Sequence, residues 1–147
     1  MDTNVTFSHP PSRSDIRALL RRSGLRPTRQ RLALAELLFA KGNRHISAEL
    51  LHAEAMIHRV PVSLATVYNT LHQFTGSGLL REVIVDGSKT YFDTNTSDHH
   101  HFFVEGDDEV IDIPEGRLRV GEVPEPPPGY EISRVDVVVR LRRIARN

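Results

Sequence analysis

The order of apolar and polar positions in the first half of the chain reads as consecutive helices. Ser12 and Asp15 stand at capping-box spacing, Ile16, Leu19 and Leu20 follow on one face, and Gly24 closes the run. Pro27-Thr28 opens a second helix that carries Leu34, Leu37, Leu38 and Phe39 and stops at Gly42-Asn43. Ser47 is the expected N-cap of a third, with Glu49 in its first turn and Ala48, Leu51 and Ala55 on one face. Val60-Pro61-Val62 interrupts the pattern, because proline lacks a donor and pushes the residue before it out of the helical region. A fourth helix starts after Ser63. Its predicted buried stripe is Leu64, Val67, Leu71 and Phe74, which leaves Ala65, Thr66, Asn69, His72 and Gln73 facing outward and Tyr68 at the edge. That outward face is polar and holds no acid, as suits a helix lying in a groove. Gly76 and Gly78 end it, and Leu80–Val85 and Lys89–Phe92 read as two strands joined by an Asp86-Gly87 hairpin turn. Three short helices, a helix with a bare polar face and a hairpin predict a winged helix-turn-helix.

The second half has a different rhythm. Phe102–Val104 and Val110–Ile113 read as strands around a Gly106-Asp107-Asp108 turn, and Ile132–Leu141 reads as one long strand with Val135, Val137 and Val139 alternating against polar neighbours. Between them, Pro114 to Gly129 holds five prolines and three glycines, which excludes a long helix. A small antiparallel sheet cannot bury its apolar face alone, so a second copy of the chain is the expected cover and a homodimer the expected assembly. The predicted fold class is α+β: an N-terminal winged helix-turn-helix followed by a small antiparallel-sheet dimerisation domain. The expected boundaries are a flexible tail over 1–12, a winged-helix DNA-binding domain over 13–94, and a dimerisation and sensing domain over 95–147.

Composition narrows the class further. The 147 residues are 39% hydrophobic and 26% charged, the balance of a soluble globular protein. No apolar run approaches the roughly 18 residues of a membrane span, and Met1 to Ser12 lacks the apolar stretch of a secretory signal, so no membrane role and a cytoplasmic location are expected. The lack of cysteine excludes disulfides, thiolate zinc sites and thiol switches. A net charge of zero conceals a division. Residues up to Arg81 carry 11 Lys/Arg against 5 Asp/Glu, a net +6, and those from Glu82 carry 8 against 14, a net −6. The basic half points to a polyanion, the acidic half to a cation or a partner subunit.

Two constellations bear chemistry. On the fourth helix Asn69 has the groups for a bidentate pair with adenine, and Thr66 or Tyr68 for contact with thymine methyls. Arg26, Arg29 and Arg31, at the start of the second helix, can reach phosphates or a minor groove. The other constellation is Asp98-His99-His100-His101, with His45 and Asp93 elsewhere. In extended backbone His99 and His101 share one face and His100 takes the other. Two imidazoles need only a third or fourth ligand to hold a divalent metal, and nitrogen and oxygen donors without thiolate suit iron, manganese or zinc. Imidazole alone can also ligate haem, for which His99, His100 and His101 are the candidates. His9, His52, His58 and His72 read as surface or satisfied helix histidines. Nothing points to an enzyme: there is no cysteine, glycine-rich phosphate loop or serine in a nucleophile-bearing turn. A metal-dependent hydrolase would need a general base that the sequence does not offer. A metal-buffering protein without a DNA role would be told apart by its failure to bind duplex DNA.

At Gly24-Leu25-Arg26-Pro27-Thr28-Arg29-Gln30-Arg31, His45-Ile46-Ser47-Ala48-Glu49, Ala65-Thr66-Val67-Tyr68 and His99-His100-His101 the chain resembles the ferric uptake regulator family, in collinear order over nearly its whole length. Within that family it is most similar to the iron-response regulators of α-proteobacteria, which share the triple histidine and lack the usual cysteines. The resemblance implies a dimeric transcription regulator of iron and haem genes that acts on A·T-rich palindromic operators and responds to a metal or to haem. Peroxide-sensing and manganese- or zinc-sensing members of the same family are the alternatives. It further implies a regulatory metal site on His45, Asp93, His99 and His101, a minor-groove contact at Arg26, and recognition-helix contacts at Tyr68 and Asn69. The sequence departs from the family where Val104 and Asp107 stand in place of the first structural-zinc cysteine pair. It departs again where Arg119 and Arg134 lie near the places of a glutamate and a histidine of a second metal site, leaving Asp98 and His100 without the partners that site requires.

Overall fold

A computed structural model describes residues 7–86 and 89–145. Its element order is α1 (Arg13–Arg22), α2 (Arg29–Phe39), β1 (His45–Ile46), α3 (Ala48–Ile57), α4 (Leu64–Gly76), β2 (Arg81–Asp86), β3 (Lys89–Asp93), β4 (His101–Val104), β5 (Glu109–Asp112) and β6 (Val138–Leu141). The chain divides into two compact units, one ending at Ser97 and the other beginning at Asp98. The fold class is α+β, with a winged helix-turn-helix first and a small sheet second.

In the first unit every helix starts at a hydroxyl cap. Ser12, Thr28, Ser47 and Ser63 each accept a hydrogen bond from a backbone N–H of the first turn, satisfying a donor that the helix itself cannot. At Ser12 the box is reciprocal: the Asp15 carboxylate accepts from the Ser12 N–H at 2.9 Å, and that bond holds its pKa below the ordinary aspartate value. The core gathers Ile16, Leu20, Leu34, Leu38, Leu51, Val67, Leu71 and Phe74, all fully buried, from the four helices. Within the segment expected to be a tail over 1–12, Phe7 packs edge-on against Phe39 with ring centroids 6.3 Å apart. Residues 1–6 lie outside the described residues, as does Gly87 of the predicted Asp86-Gly87 turn, although the pairing of Asp86 with Lys89 joins the strands on either side.

Two details of this unit differ from the sequence pattern. The buried stripe of α4 is Val67, Thr70, Leu71 and Phe74, and Leu64 is 38% exposed. Thr70 can be buried because its hydroxyl donates to the Thr66 carbonyl one turn back at 2.8 Å, while Leu64, in the first turn, projects beyond the helices that cover the stripe. The wing has a third strand that no periodicity could show: two-residue β1 pairs antiparallel with β3, giving the order β1-β3-β2.

The second unit is a three-stranded sheet in the order β5-β4-β6. It is mixed rather than purely antiparallel. β4 and β5 form an antiparallel hairpin, but the proline-rich crossover returns the chain so that β6 runs parallel to β4. The long strand expected over Ile132–Leu141 shrinks to Val138–Leu141, because β4 offers only four residues of edge and residues 130–136 remain exposed without a ladder. The β-branched alternation there expressed propensity without a neighbour to realise it.

Leu71→Ala should destabilise the protein by about 2–5 kcal/mol, as deletion of a fully buried leucine does, while Leu64→Ala should stay within about 0.5 kcal/mol. Urea unfolding of both variants checks this. Equal losses would return Leu64 to the core.

Candidate nucleic-acid interface and metal-binding groups

The reading surface of the first unit is built around α4. His58, Arg59 and Val60 end α3 with Arg59 at φ 57°, a left-handed residue that turns the chain, and the Val60 N–H returns to the Ala55 carbonyl at 2.8 Å. His52 secures the turn from the other side, its Nε2 3.1 Å from the Val62 carbonyl. Ser63 then starts α4 with its N-terminus outward. Along it Ala65, Asn69, His72 and Gln73 are exposed and Thr66 and Tyr68 are half-buried. Asn69 has its amide committed to no partner among the described residues, so it is available to a base edge. Thr66 is only partly available, since its hydroxyl oxygen accepts from Ser63 Oγ at 3.0 Å.

Tyr68 is held. Its phenol donates to Glu49 Oε1 at 2.8 Å, and this hydrogen bond to the carboxylate raises the phenol pKa above its ordinary value. Glu49, placed by the first turn of α3, therefore orients a residue that the sequence pattern assigned to thymine contact. Arg26, in the segment before α2, and Arg29, at its first position, are both exposed. Arg31 is half-buried, and its guanidinium bonds Gln73 and the Arg26 carbonyl.

Imidazole and carboxylate meet within each unit. In the first, the cross-strand register sets His45 opposite Asp93, and His45 Nε2 lies 3.0 Å from Asp93 Oδ2 with the carboxylate fully buried. Arg81 pairs with Asp93 from the other side and donates to the Ser97 carbonyl at 2.8 Å. Asp93 Oδ1 accepts from the Asn95 N–H at 2.8 Å, fixing the carboxylate's second oxygen. The site is placed by Arg44, whose guanidinium clasps Glu54 of α3 at 2.6 and 2.9 Å and whose backbone N–H donates to Thr94 Oγ1 at 2.8 Å.

In the second unit the β4–β5 register sets His101 opposite Asp112. Asp112 Oδ1 is 2.9 Å from His99 Nε2 and 3.4 Å from His101 Nε2, and the two rings lie 4.4 Å apart. Donor atoms of these three residues fall within 4.8 Å of one another. Two donors bound at about 2.1 Å to one ion stand about 3.0–3.4 Å apart in octahedral or tetrahedral geometry, so the trio fits a first-row divalent ion. Asp112 was missed in the sequence reading. A hairpin centred between Gly106 and Asp107 pairs residues whose numbers sum to those of His101 and Asp112, and that was the signal.

His100 is placed apart, as the extended-backbone argument expects. Its Nδ1 accepts the Val137 N–H at 3.1 Å, which puts the ring's own proton on Nε2 and leaves no lone pair for a metal. Of the three haem candidates, His100 has its Nδ1 engaged by the Val137 N–H, and His99 and His101 both direct Nε2 at Asp112. Of the remaining histidines, His72 rests its ring on the edge of buried Phe92 at 5.6 Å.

A four-helix unit with a three-stranded wing, followed by a small sheet unit, defines a winged-helix protein with imidazole–carboxylate groups in each unit. The chain belongs to the ferric uptake regulator family, whose profile matches residues 22–123, a family of regulators and not of enzymes. It is 36% identical over 88 residues to the ferric uptake regulation protein of Shigella flexneri, covering 60% of this chain and 59% of that protein. With the ferric uptake regulation protein of Vibrio anguillarum it shares 35% over 107 residues, 67% of this chain and 72% of the relative. The chain thus spans about three-fifths of the length of the first of these relatives. The ferric uptake regulator of Pseudomonas aeruginosa, solved with manganese, superposes with a TM-score of 0.66 at 26% identity, over 87% of this chain and 97% of that one.

Glu49→Gln should move the Tyr68 phenol back towards its ordinary pKa, read as an ultraviolet titration of the three tyrosines. The sign follows from the raised value: the tether stabilises the protonated phenol, is complete below the unfolded tyrosine pKa near ~10, and is lost as pH rises through the folded value. An unaltered titration would show that Glu49 does not hold Tyr68.

Proposed function

We propose that this chain is a metal-responsive, sequence-specific DNA-binding transcription regulator that works as a homodimer in the cytoplasm, on genes of iron or haem homeostasis. The observation that carries the reading is the exposed, acid-free face of α4 in a winged helix-turn-helix whose half of the chain is net positive. Asn69, Thr66 and Tyr68 read bases, and Arg26 and Arg29 engage the phosphates or the minor groove. The exposed apolar residues Val120, Val123, Ile132 and Val135 of the second unit support dimerisation, since a second copy would remove them from water.

The regulatory ion is assigned to His45, Asp93, His99 and His101, with Asp112 added to the set. The family resemblance supplies the assignment, and the His45–Asp93 and His99–His101–Asp112 groupings within each unit support it. An ion that drew ligands from both units would favour one conformation of the protein over others, the requirement for any ligand-driven switch. Iron(II), manganese(II) and zinc(II) all suit these donors. No helix among the described residues is long and apolar enough to cross a membrane.

The test is a titration of DNA affinity of the apo protein with iron(II), manganese(II), zinc(II) and haem in turn, on a palindromic A·T-rich duplex. At least one should change the affinity, and affinity should fall steeply with salt as counterions are released. Salt-independent binding would sink the reading. Asn69→Ala should cost about 1–3 kcal/mol at its cognate base and relax specificity there, whereas Arg26→Ala should weaken binding evenly across sequences.

His45→Ala and His99→Ala should each lower divalent-metal affinity in isothermal titration, while His100→Ala should leave it unchanged. Because neutral imidazoles are needed, metal affinity should fall as pH drops. A loss on His100→Ala equal to the other two would overturn the division of the triple histidine.

A further inference from the structure

Arg31 stands beside Arg26 and Arg29 in the sequence and looks like a third phosphate contact, yet its side chain is engaged by the protein's own oxygens at the surface. Its Nη1 donates to the Arg26 carbonyl at 2.9 Å, and Nε and Nη2 both donate to Gln73 Oε1, at 3.2 and 3.0 Å. The Arg26 carbonyl also accepts the Thr28 N–H at 2.8 Å. Gln73 lies one helical turn beyond Asn69 on the exposed face of α4. One guanidinium, rooted in the first turn of α2, therefore clamps the segment carrying Arg26 to the helix carrying Asn69.

We propose that Arg31 and Gln73 are positioning residues for DNA recognition: the clamp fixes where Arg26 stands relative to the base-reading face of α4. This rests on the DNA-binding function proposed above. The physical need is plain. A side chain on an irregular segment between two helices must give up its freedom on binding, and a segment already tied to the reading helix gives up less. The planar fork of arginine reaches a side-chain oxygen and a backbone carbonyl at once, which a lysine ammonium cannot reproduce in the same geometry.

A phosphate contact and a clamp behave differently on substitution. For a phosphate contact, Arg31→Lys keeps the charge and the affinity, and Gln73→Ala acts independently of it. For a clamp, charge is not enough. The experiment uses the full chain and a duplex selected by the parent protein from a random pool. Arg31→Lys and Gln73→Ala should each lose roughly five- to tenfold in affinity, and the double variant should be no worse than either single one, the mark of residues sharing one hydrogen-bond network. Adding Arg26→Ala to Gln73→Ala should cost less than Arg26→Ala alone, although Gln73 does not bond the Arg26 side chain.

A second measurement needs no DNA. In the free protein, hydrogen exchange at the Thr28 amide should quicken in both variants, with the amides of α1 unaffected. Parental affinity in Arg31→Lys, additive losses in the double variant, or unaltered exchange at Thr28 would each overturn the clamp. If the parent protein selects no duplex, the DNA-binding reading itself fails and the positioning role goes with it, whatever the exchange shows.

Discussion

The first unit depends on one row of cross-strand neighbours. β3 is the middle strand of its sheet, and its register places His45 on one side of Asp93 and Arg81 on the other. The adjacent row is Ile46, Phe92 and Glu82. Because successive residues of a strand point to opposite faces, a single alignment does two things. It drives Ile46 and Phe92 into the helical core, where both are fully buried, and it turns His45, Asp93 and Arg81 together on the other side. A slip of one residue would exchange the two sets, set a histidine and an arginine against leucines, and put Phe92 among polar groups. The apolar core therefore enforces the geometry of the polar row.

How much of this was readable in the chain depends on how local each cause is. The four helices were legible because their caps are single residues with a mechanism: Ser12, Thr28, Ser47 and Ser63 all cap as the sequence suggests. The β4–β5 hairpin was legible too, and with it the pairing of His101 and Asp112 could have been counted out from the turn. β1 was not. Two residues carry no period, and the strand exists only because β3 is there to pair with it. The same holds in reverse for Ile132–Leu141, where the period was strong and the partner short. The exchange of Leu64 for Thr70 in the α4 stripe has a similar origin: a helical period gives the direction of a buried face but not where its cover ends.

The exposed face around α4 is held by polar contacts that carry no charge neutralisation at Arg31 and an acid at Tyr68. Glu49 sits where a nucleic acid would find it unwelcome, yet it is engaged by a phenol, so its charge is partly satisfied before any partner arrives. Arg31 bonds only oxygen atoms of an amide and a carbonyl, so its positive charge remains uncancelled. The two tethers thus order the surface without making it acidic.

The burial of Asp93 has a consequence for rates. Its carboxylate is fully buried and His45 is 13% exposed, so the pair is not an open cup at the surface. His45 stands on β1, two residues long, at the edge of its sheet. Short edge strands open far more often than the fold as a whole unfolds. Exchange of an ion at this pair would then run at the pace of that local opening, so that the time for which a loaded state persists is set by a two-residue ladder as much as by the strength of the bonds to the ion.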